Sequence, residues 1–220
     1  MKNPVSLFLV LLALLSGCRR QDVLQTGDLI FVGIPADYQI ESDSMDAAIV
    51  DATGGESLNL IHVAIAEVED GQTWIIDATI KHGVDRHPLD TFLTDFTLKD
   101  GSYPVFQVRR LRDPHDASRY VDNAKKYIGQ PYDIAFLPDN GAYYCSELVQ
   151  DSYTDGSGTS LFQARPMNFR NADGDFPLYW QQLFDRLGMP IPQDIPGTNP
   201  QMMAEEPVLV PVDVAVVPHS

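Results

Sequence analysis

The chain of 220 residues is strongly acidic, with 31 Asp and Glu against 15 Lys and Arg and a formal net charge of −16. It lacks the basic excess that displaces counterions from phosphates, so we expect no nucleic-acid partner. Hydrophobic residues make up 44% of the sequence. The length is sufficient for one globular domain with a buried core.

The N-terminus resembles the signal of a bacterial lipoprotein. Lys2 precedes an apolar run over residues 5–15 that is too short to cross a bilayer stably, and small residues then lead directly into Cys18. By this resemblance the signal is removed before Cys18 and the thiol is acylated, so we expect a protein anchored in the bacterial cell envelope through lipid. Arg19, rather than Asp, follows the cysteine, which favours the outer membrane, facing the periplasm. The alternative is an ordinary signal peptide with Cys18 left as a free thiol.

Composition divides the chain into three segments. They are a signal over residues 1–17, a globular domain over residues 18–188, and a proline-rich acidic tail over residues 189–220. Because the tail shows no clear periodicity, we expect it to be extended, either draped over the domain or partly disordered.

The domain begins with short apolar, β-prone runs and continues with helical patterns. The predicted strands cover residues 28–32, 60–68, 73–78, a short run from Val84, and 103–111, with a hairpin turn at 69–72. The predicted helices cover residues 44–50, a single turn at 88–92, 113–127, 144–153 and 177–187. Strands followed by helices predict the α+β class, with a mainly antiparallel sheet packed against helices.

Cys145 is the residue that most strongly suggests chemistry. Once Cys18 is acylated, Cys145 has no disulfide partner in its own chain. A thiol attacks as its thiolate, which the N-terminus of the predicted helix and a nearby imidazole both favour. His62, in an apolar strand, is the candidate base, and Asp77, on the hairpin partner, is the candidate orienting carboxylate. These two are not opposite each other in the hairpin, so their pairing requires strand twist or a bulge.

Each of these residues also has a structural interpretation. A strand histidine is more often a satisfied core residue, a cysteine before an apolar helix more often packs, and Asp77 could cap a turn. Among the competing bases, His82 is predicted in a loop, and His87 and His115 on the surface. No pair of His or Cys residues has metal-ligand spacing, so we expect no metal and no other cofactor.

Five short segments occur in a fixed order along the chain, and together they indicate a protein family far more specifically than any one of them does. In chain order they are GDLI at 27–30, IHVAI at 61–65, IIDA at 75–78, YIGQPYD at 127–133 and YCSELV at 144–149. This set resembles the YaeF/YiiX branch of circularly permuted papain-like cysteine hydrolases, which are relatives of the NlpC-type cell-wall peptidases.

The resemblance implies a permuted papain-like fold with Cys145 as nucleophile, His62 as base and Asp77 as orienting acid. In permuted members the histidine precedes the cysteine in the chain. It also implies that Tyr132 and Tyr144 line the substrate cleft.

The chain departs from the family pattern at two positions. Asp77 stands where the family usually has Glu, which shortens the reach to the imidazole by one methylene, so Glu67 and Glu69 are weaker candidates for the third role. Ile61 replaces a small or polar residue before the histidine, which changes the wall of the pocket.

These observations predict a lipid-anchored periplasmic cysteine hydrolase, an amidase or peptidase that acts through an acyl-enzyme. The expected substrate is a cell-wall peptide or a small acylated amino compound. One alternative is a lipid-directed thioesterase or acyltransferase, which a large apolar groove beside Cys145 would favour, whereas a narrow acidic cleft would favour the amidase. The other alternative is a non-catalytic envelope lipoprotein with an inert thiol.

Overall fold

The computed structural model describes residues 22–41, 44–54 and 57–217, so the predicted signal and Cys18 lie outside the described residues. The strands are β1 Leu29–Pro35, β2 Leu58–Glu69, β3 Gln72–Thr79, β4 Gly83–Pro88, β5 Val105–Leu111, β6 Arg165–Pro166, β7 Pro196–Gly197 and β8 Leu209–Val212. The helices are α1 Met45–Thr53, α2 Leu89–Asp95, α3 Ala117–Lys125, α4 Cys145–Ser152, α5 Leu178–Leu187 and α6 Pro200–Ala204.

One six-stranded antiparallel sheet, in the order β4-β3-β2-β1-β5-β8, organises the fold. The central strands β1 and β2 are buried along almost their whole length. Both sheet faces are covered, which explains why these two strands are continuous apolar runs without alternation. The predicted α+β class, with a mainly antiparallel sheet packed against helices, is confirmed.

Helices cover the two faces of the sheet unequally. On one face, residues of α3, α4 and α6 join the sheet in a buried cluster that includes Cys145. On the other face, α2 contributes Phe92 and Leu93 to a second cluster. A third cluster is largely aromatic and joins α1 to α5 around Phe136, Phe169 and Trp180. The start of α4 and the third cluster are therefore neighbours.

A buried ion pair fixes the beginning of β1. The side chain of Asp28 is fully buried and accepts from Arg110 of β5, with Nε 2.6 Å from Oδ1 and a second nitrogen 2.8 Å from Oδ2. This bidentate interaction gives both oxygens of the carboxylate a hydrogen-bond donor. The conspicuous GDLI segment thus has a structural role in joining neighbouring strands.

A β-bulge lies where β2 reaches its histidine. Val32 of β1 pairs with His62, but the next residue, Gly33, pairs with Leu60, so Ile61 is the extra residue. A bulge bends its strand and redirects the side chains around it. The bulge lies in the pairing of β2 with β1, immediately before His62, whereas the pairing of β2 with β3 is regular.

The end of the chain differs from the predicted extended tail. Beyond Met189, the chain forms β7 and α6, and β8 then pairs with β5 as the edge of the main sheet. Pro211, in the middle of β8, obscured this strand in the sequence, because proline is tolerated only in edge strands and at bulges. Residues 189–212 are thus part of the sheet and core rather than an extension outside them.

One helix is shorter than predicted. The helix predicted over residues 113–127 is α3 Ala117–Lys125, because Asp113 to Asp116 form turns before it. Across the described ranges, no helix combines the length and the apolar character needed to cross a membrane.

Gly83 provides a test of the packing between β4 and the loop after α3. Its φ is +67°, and an added Cβ would lie 2.4 Å from the carbonyl oxygen of Gln130. Gly71, in the hairpin turn, has φ +77° but open space around it. We expect Gly71→Ala to cost about 1–2 kcal/mol of unfolding free energy, from the left-handed conformation alone. Gly83→Ala should cost clearly more in urea unfolding, and equal losses would contradict the close approach.

Candidate active site

His62 and Asp77 form a buried pair beyond the end of the β2–β3 ladder. The ladder runs from the turn as far as Ile65 opposite Ile76. Extended by one residue, it would place Asp77 opposite Ala64, so that His62 is its diagonal neighbour on the same face. The Nε2–H of His62 donates to Oδ2 of Asp77 over 2.8 Å. The shorter side chain of Asp, compared with Glu, therefore reaches the imidazole.

Aromatic rings hold the imidazole of His62 in place. Its ring lies 4.6 Å from that of Phe96 and 6.3 Å from that of Phe92, centroid to centroid. Its exposed fraction is only 6%. With the ring held between α2 and Asp77, the imidazole has one defined orientation.

Cys145 is the first residue of α4 and lies against His62. It is a free thiol and is buried. Cys145 is close enough to His62 to raise the pKa of the imidazole. Because Nε2 is occupied by Asp77, the nitrogen available to the sulfur is Nδ1. The structure thus brings together the three residues predicted from the sequence.

The charge state of His62 follows from this environment. Burial alone lowers the pKa of His62, but the neighbouring Cys145, together with the hydrogen bond that His62 donates to Asp77, outweighs burial and raises the pKa to about 10. The imidazole is therefore protonated at neutral pH, next to the sulfur.

His87 corrects the sequence analysis, which placed it on the surface. It is buried, and its Nε2 lies 3.8 Å from Oδ1 of Asp77. The reason is the β3–β4 pairing, which sets His87 opposite Ile75 and hence diagonal to Asp77 on the same face. Asp77 therefore lies between two histidines, one from each neighbouring strand.

The other candidates for the base and the acid lie elsewhere. Glu67 bonds to Arg86 over 2.6 Å and to Lys125, and Glu69 bonds to Arg86 over 2.7 Å. His82 faces Asp95, with 3.3 Å between Nε2 and Oδ2, and His115 is exposed beside Asp113. These groups are used in surface or peripheral ion pairs away from Cys145.

A cavity of about 50 Å³ opens beside Cys145. Tyr132 and Tyr144, the two predicted cleft residues, both lie in its wall. The hydroxyl of Tyr144 accepts from the N–H of Thr198 over 3.2 Å. Burial raises the pKa of both phenols, so both stay neutral. The prediction that these tyrosines face the site is consistent with this placement.

Several cavity residues were not predicted from the sequence. They come from α1, α5 and the segment 198–200, which the sequence assigned to the tail. Gly197 allows the chain before residues 198–200 to lie against Met167 and Tyr144. A Cβ at this position would lie 2.6 Å from the sulfur of Met167 and 2.8 Å from the hydroxyl of Tyr144. No local sequence signal marks these residues, because only the tertiary fold brings them together.

Two buried hydroxyls in the cavity wall have unused hydrogen-bonding capacity. Neither Oγ of Ser146 nor Oγ1 of Thr198 has a partner within the described part of the chain. Unsatisfied buried polar groups are costly, and they are commonly explained by a function. Both hydroxyls border the space next to Cys145, where a substrate could bond to them.

Comparison with known families matches residues 23–212 to the family described as "Permuted papain-like amidase enzyme, YaeF/YiiX, C92 family". This protein belongs to that family. It is therefore a hydrolase of the papain-like amidase type, with the fold predicted from the five segments.

Individual relatives agree with this assignment. The chain is 26% identical over 188 residues to the uncharacterised protein YiiX of Escherichia coli K12, covering 86% of this chain and 85% of that protein. A crystal structure described as metalloprotein YiiX, from Escherichia coli O157:H7, matches with a TM-score of 0.65 and 25% identity. That match covers 87% of this chain and 97% of the other.

Glu147, in the first turn of α4, should make stability depend on pH. Burial, followed by repulsion from Asp133, raises its pKa from 4.5 to about 8. Between these two values the folded protein keeps a proton that the unfolded chain has released, so rising pH favours unfolding. We expect the thermal midpoint to fall as pH rises from 5 to 8, and to fall less steeply in Glu147→Gln. The same slope in both proteins would contradict this.

Proposed function

We propose that this amidase is a cysteine hydrolase, with Cys145 as nucleophile, His62 as proton carrier and Asp77 as the group that orients the imidazole. The observation that supports this most directly is the double contact of the His62 ring. Asp77 holds Nε2 at 2.8 Å, and Cys145 lies close enough to raise the pKa of the same imidazole. A nucleophile, a base and an orienting group in that sequence of contacts define the cysteine version of a catalytic triad.

The first half of the proposed reaction forms an acyl-enzyme. The thiolate of Cys145 attacks the carbonyl carbon of an amide, and a carbon–sulfur bond forms. The tetrahedral intermediate collapses with cleavage of the carbon–nitrogen bond. The imidazolium of His62 gives its proton to the departing nitrogen, which leaves as a neutral amine.

The second half restores the enzyme. Neutral His62 takes a proton from water, which attacks the thioester. The carbon–sulfur bond then breaks, a carboxylic acid is released, and the thiolate is again paired with the imidazolium. Asp77 keeps the same imidazole orientation through both halves, because its bond to Nε2 is not broken.

The start of α4 supplies a site for the developing oxyanion. The backbone N–H of Cys145 has no acceptor among the described residues. It lies at a helix N-terminus, where backbone amides and the helix dipole favour negative charge. The oxygen of the tetrahedral intermediate can therefore accept from this amide.

No step of this mechanism uses a metal ion, although the E. coli O157:H7 relative is described as a metalloprotein. Over residues 22–41, 44–54 and 57–217, no three His, Cys, Asp or Glu side chains are arranged to hold a metal. His62 and Asp77 are already bonded to each other. The residues at this site therefore do not fit a metal centre.

We also propose that the enzyme is attached to the cell envelope through lipid on Cys18, on the outer membrane and facing the periplasm. The support is the small-residue segment before Cys18 and the arginine after it. In that compartment the enzyme would meet cell-wall peptides and acylated amino compounds, which are the amide substrates expected from the sequence.

Substitutions in the triad should affect turnover in a set order. Cys145→Ala should lower kcat/KM by at least about a thousandfold with little change in thermal midpoint, because only the nucleophile is lost. Asp77→Ala should cost less, since the imidazole remains. Loss of folding in Cys145→Ala equal to its loss of turnover would make the residue structural.

Iodoacetamide should distinguish a catalytic thiol from an inert one. In His62→Gln the side chain can still bond to Asp77 but cannot hold a proton for the sulfur. We expect the rate of Cys145 alkylation at pH 7 to fall about tenfold or more in this variant. His115→Gln, a matched change at an exposed histidine, should leave the rate unchanged. Slow alkylation in the wild type, equally slow in His62→Gln, would indicate an inert thiol.

Fractionation of cells should test the anchor independently of catalysis. We expect the wild-type protein in the outer-membrane fraction and Cys18→Ser in the soluble fraction, still active, because one thiol carries the lipid. Retention of Cys18→Ser in the membrane fraction would contradict lipid attachment at this residue.

A further inference from the structure

Two carboxylates lie directly opposite each other where β3 pairs with β4. Asp77, of the proposed triad, is paired with Asp85 of β4, so both side chains are on the same face of the sheet. Like charges at opposed positions destabilise a sheet. Asp77 is only 1% exposed, so solvent ions screen its charge poorly. Two adjacent carboxylates without a cation favour protonation of one of them, so an ionised Asp77 needs a cation nearby.

His87 lies next to both carboxylates. It is two residues beyond Asp85 on β4, so its side chain is on the same face, and it is buried. Its Nε2 lies 3.8 Å from Oδ1 of Asp77, and its Nδ1 lies 3.8 Å from Oδ2 of Asp85. These are ion-pair distances rather than hydrogen bonds. Each ring nitrogen of His87 therefore faces a carboxylate oxygen.

This placement of both nitrogens decides which form of the His87 imidazole fits. A neutral imidazole has a proton on one nitrogen and a lone pair on the other. In either neutral tautomer, a lone pair would face the carboxylate of Asp77 or that of Asp85, and the two would repel each other. The imidazolium has an N–H on both nitrogens and is attracted to both carboxylates. The geometry therefore fits the charged ring.

The other charged side chains around His87 have partners of their own. Arg86 bonds to two glutamates at the end of β2. In the turn before β4, Lys81 binds Asp95 of α2 over 2.7 Å. His82, whose ring lies 6.4 Å from that of His87, is 3.3 Å from the same carboxylate of Asp95. Among the described residues, His87 is thus the group placed to neutralise the two opposed carboxylates.

We propose that His87 is positively charged in the folded protein and is a positioning residue for the proposed triad. It keeps Asp77 ionised and turned toward Nε2 of His62. A thiolate, an imidazolium and a carboxylate together carry one negative charge. A thioester, a neutral imidazole and a carboxylate also carry one, so the charge of His87 balances the site before and after acylation. This role rests on the proposed cysteine mechanism.

The charge of His87 can be measured in the wild-type protein. The chain has five histidines, so the ring ¹⁵N resonances of His87 in the detergent-solubilised full-length protein can be assigned by their loss in His87→Gln. We expect both ring nitrogens to be protonated at pH 7. One protonated and one unprotonated nitrogen would show a neutral ring and overturn the proposal.

The same resonances test the contact with Asp85. Asp85→Asn removes an anion that favours the charged ring, so we expect His87 to lose its proton at a pH lower by about half a unit. Asp122→Asn, a matched change at an exposed position on α3, should leave this pH unchanged. Equal values in the two variants would overturn the proposed ion pair.

Acylation of Cys145 by p-nitrophenyl butyrate tests the positioning role, with the nitrophenolate released and the mass of the acylated protein as readouts. His87→Gln keeps a polar side chain but removes the charge. We expect the acylation rate constant at pH 7 to fall about tenfold, because Asp77 then takes up a proton or turns away from His62. His115→Gln, at an exposed histidine, should leave the rate constant unchanged.

A second substitution separates the charge of His87 from its packing. Asp85→Asn in the His87→Gln background removes the carboxylate that opposes Asp77. We expect it to restore the rate constant to within about threefold of wild type. A change at Asp85 cannot replace lost packing, so a double variant as slow as His87→Gln would overturn the positioning role.

The outcomes also distinguish this role from the mechanism on which it rests. If the wild-type protein forms no acyl group on Cys145, the cysteine mechanism and the positioning role both fail. If it does, and His87→Gln is acylated at the wild-type rate, only the positioning role is overturned.

Discussion

The hydrogen bond between His62 and Asp77 is the contact on which the whole site depends. Both side chains are buried. Burial of two ionisable groups costs free energy unless each has a hydrogen-bonding partner. The hairpin of β2 and β3 makes each the hydrogen-bond partner of the other, and Cys145 beside the imidazole favours its charged form. The regular pairing of β2 with β3 ends at Ile65 and Ile76. The side chains of His62 and Asp77 lie beyond that end, so they can turn toward α4.

Both sides of Asp77 are occupied by histidines, and this has a simple topological origin. β3 lies between β2 and β4 in the sheet, so its carboxylate meets one diagonal neighbour from each. His62 is bonded closely, whereas His87 stays at 3.8 Å. The asymmetry leaves Oδ1 of Asp77 without a hydrogen bond in the described part of the chain, with Nε2 of His87 3.8 Å away.

The residues of the proposed triad and the central strands could be identified from the sequence because they carry strong local signals. The buried strands β1 and β2 are continuous apolar runs, and Cys145 follows a loop and starts a helix. The two failures, His87 in β4 and the strand β8, both involve edge strands that contain proline. Proline normally argues against a strand, and only the position at the sheet edge makes it acceptable. The cavity wall was missed for another reason, since its residues converge from distant parts of the chain.

Because β8 pairs with β5 at the end of the chain, the site of this enzyme can be completed only late in synthesis. All three residues of the proposed triad are synthesised well before residues 198–200 and Leu209–Val212, which complete the cavity and the sheet. A nascent chain therefore holds the proposed triad before its cavity wall is complete. Cleavage by a protease near residue 195 would produce the same incomplete state, because it separates the proposed triad from residues 198–200 of the cavity wall.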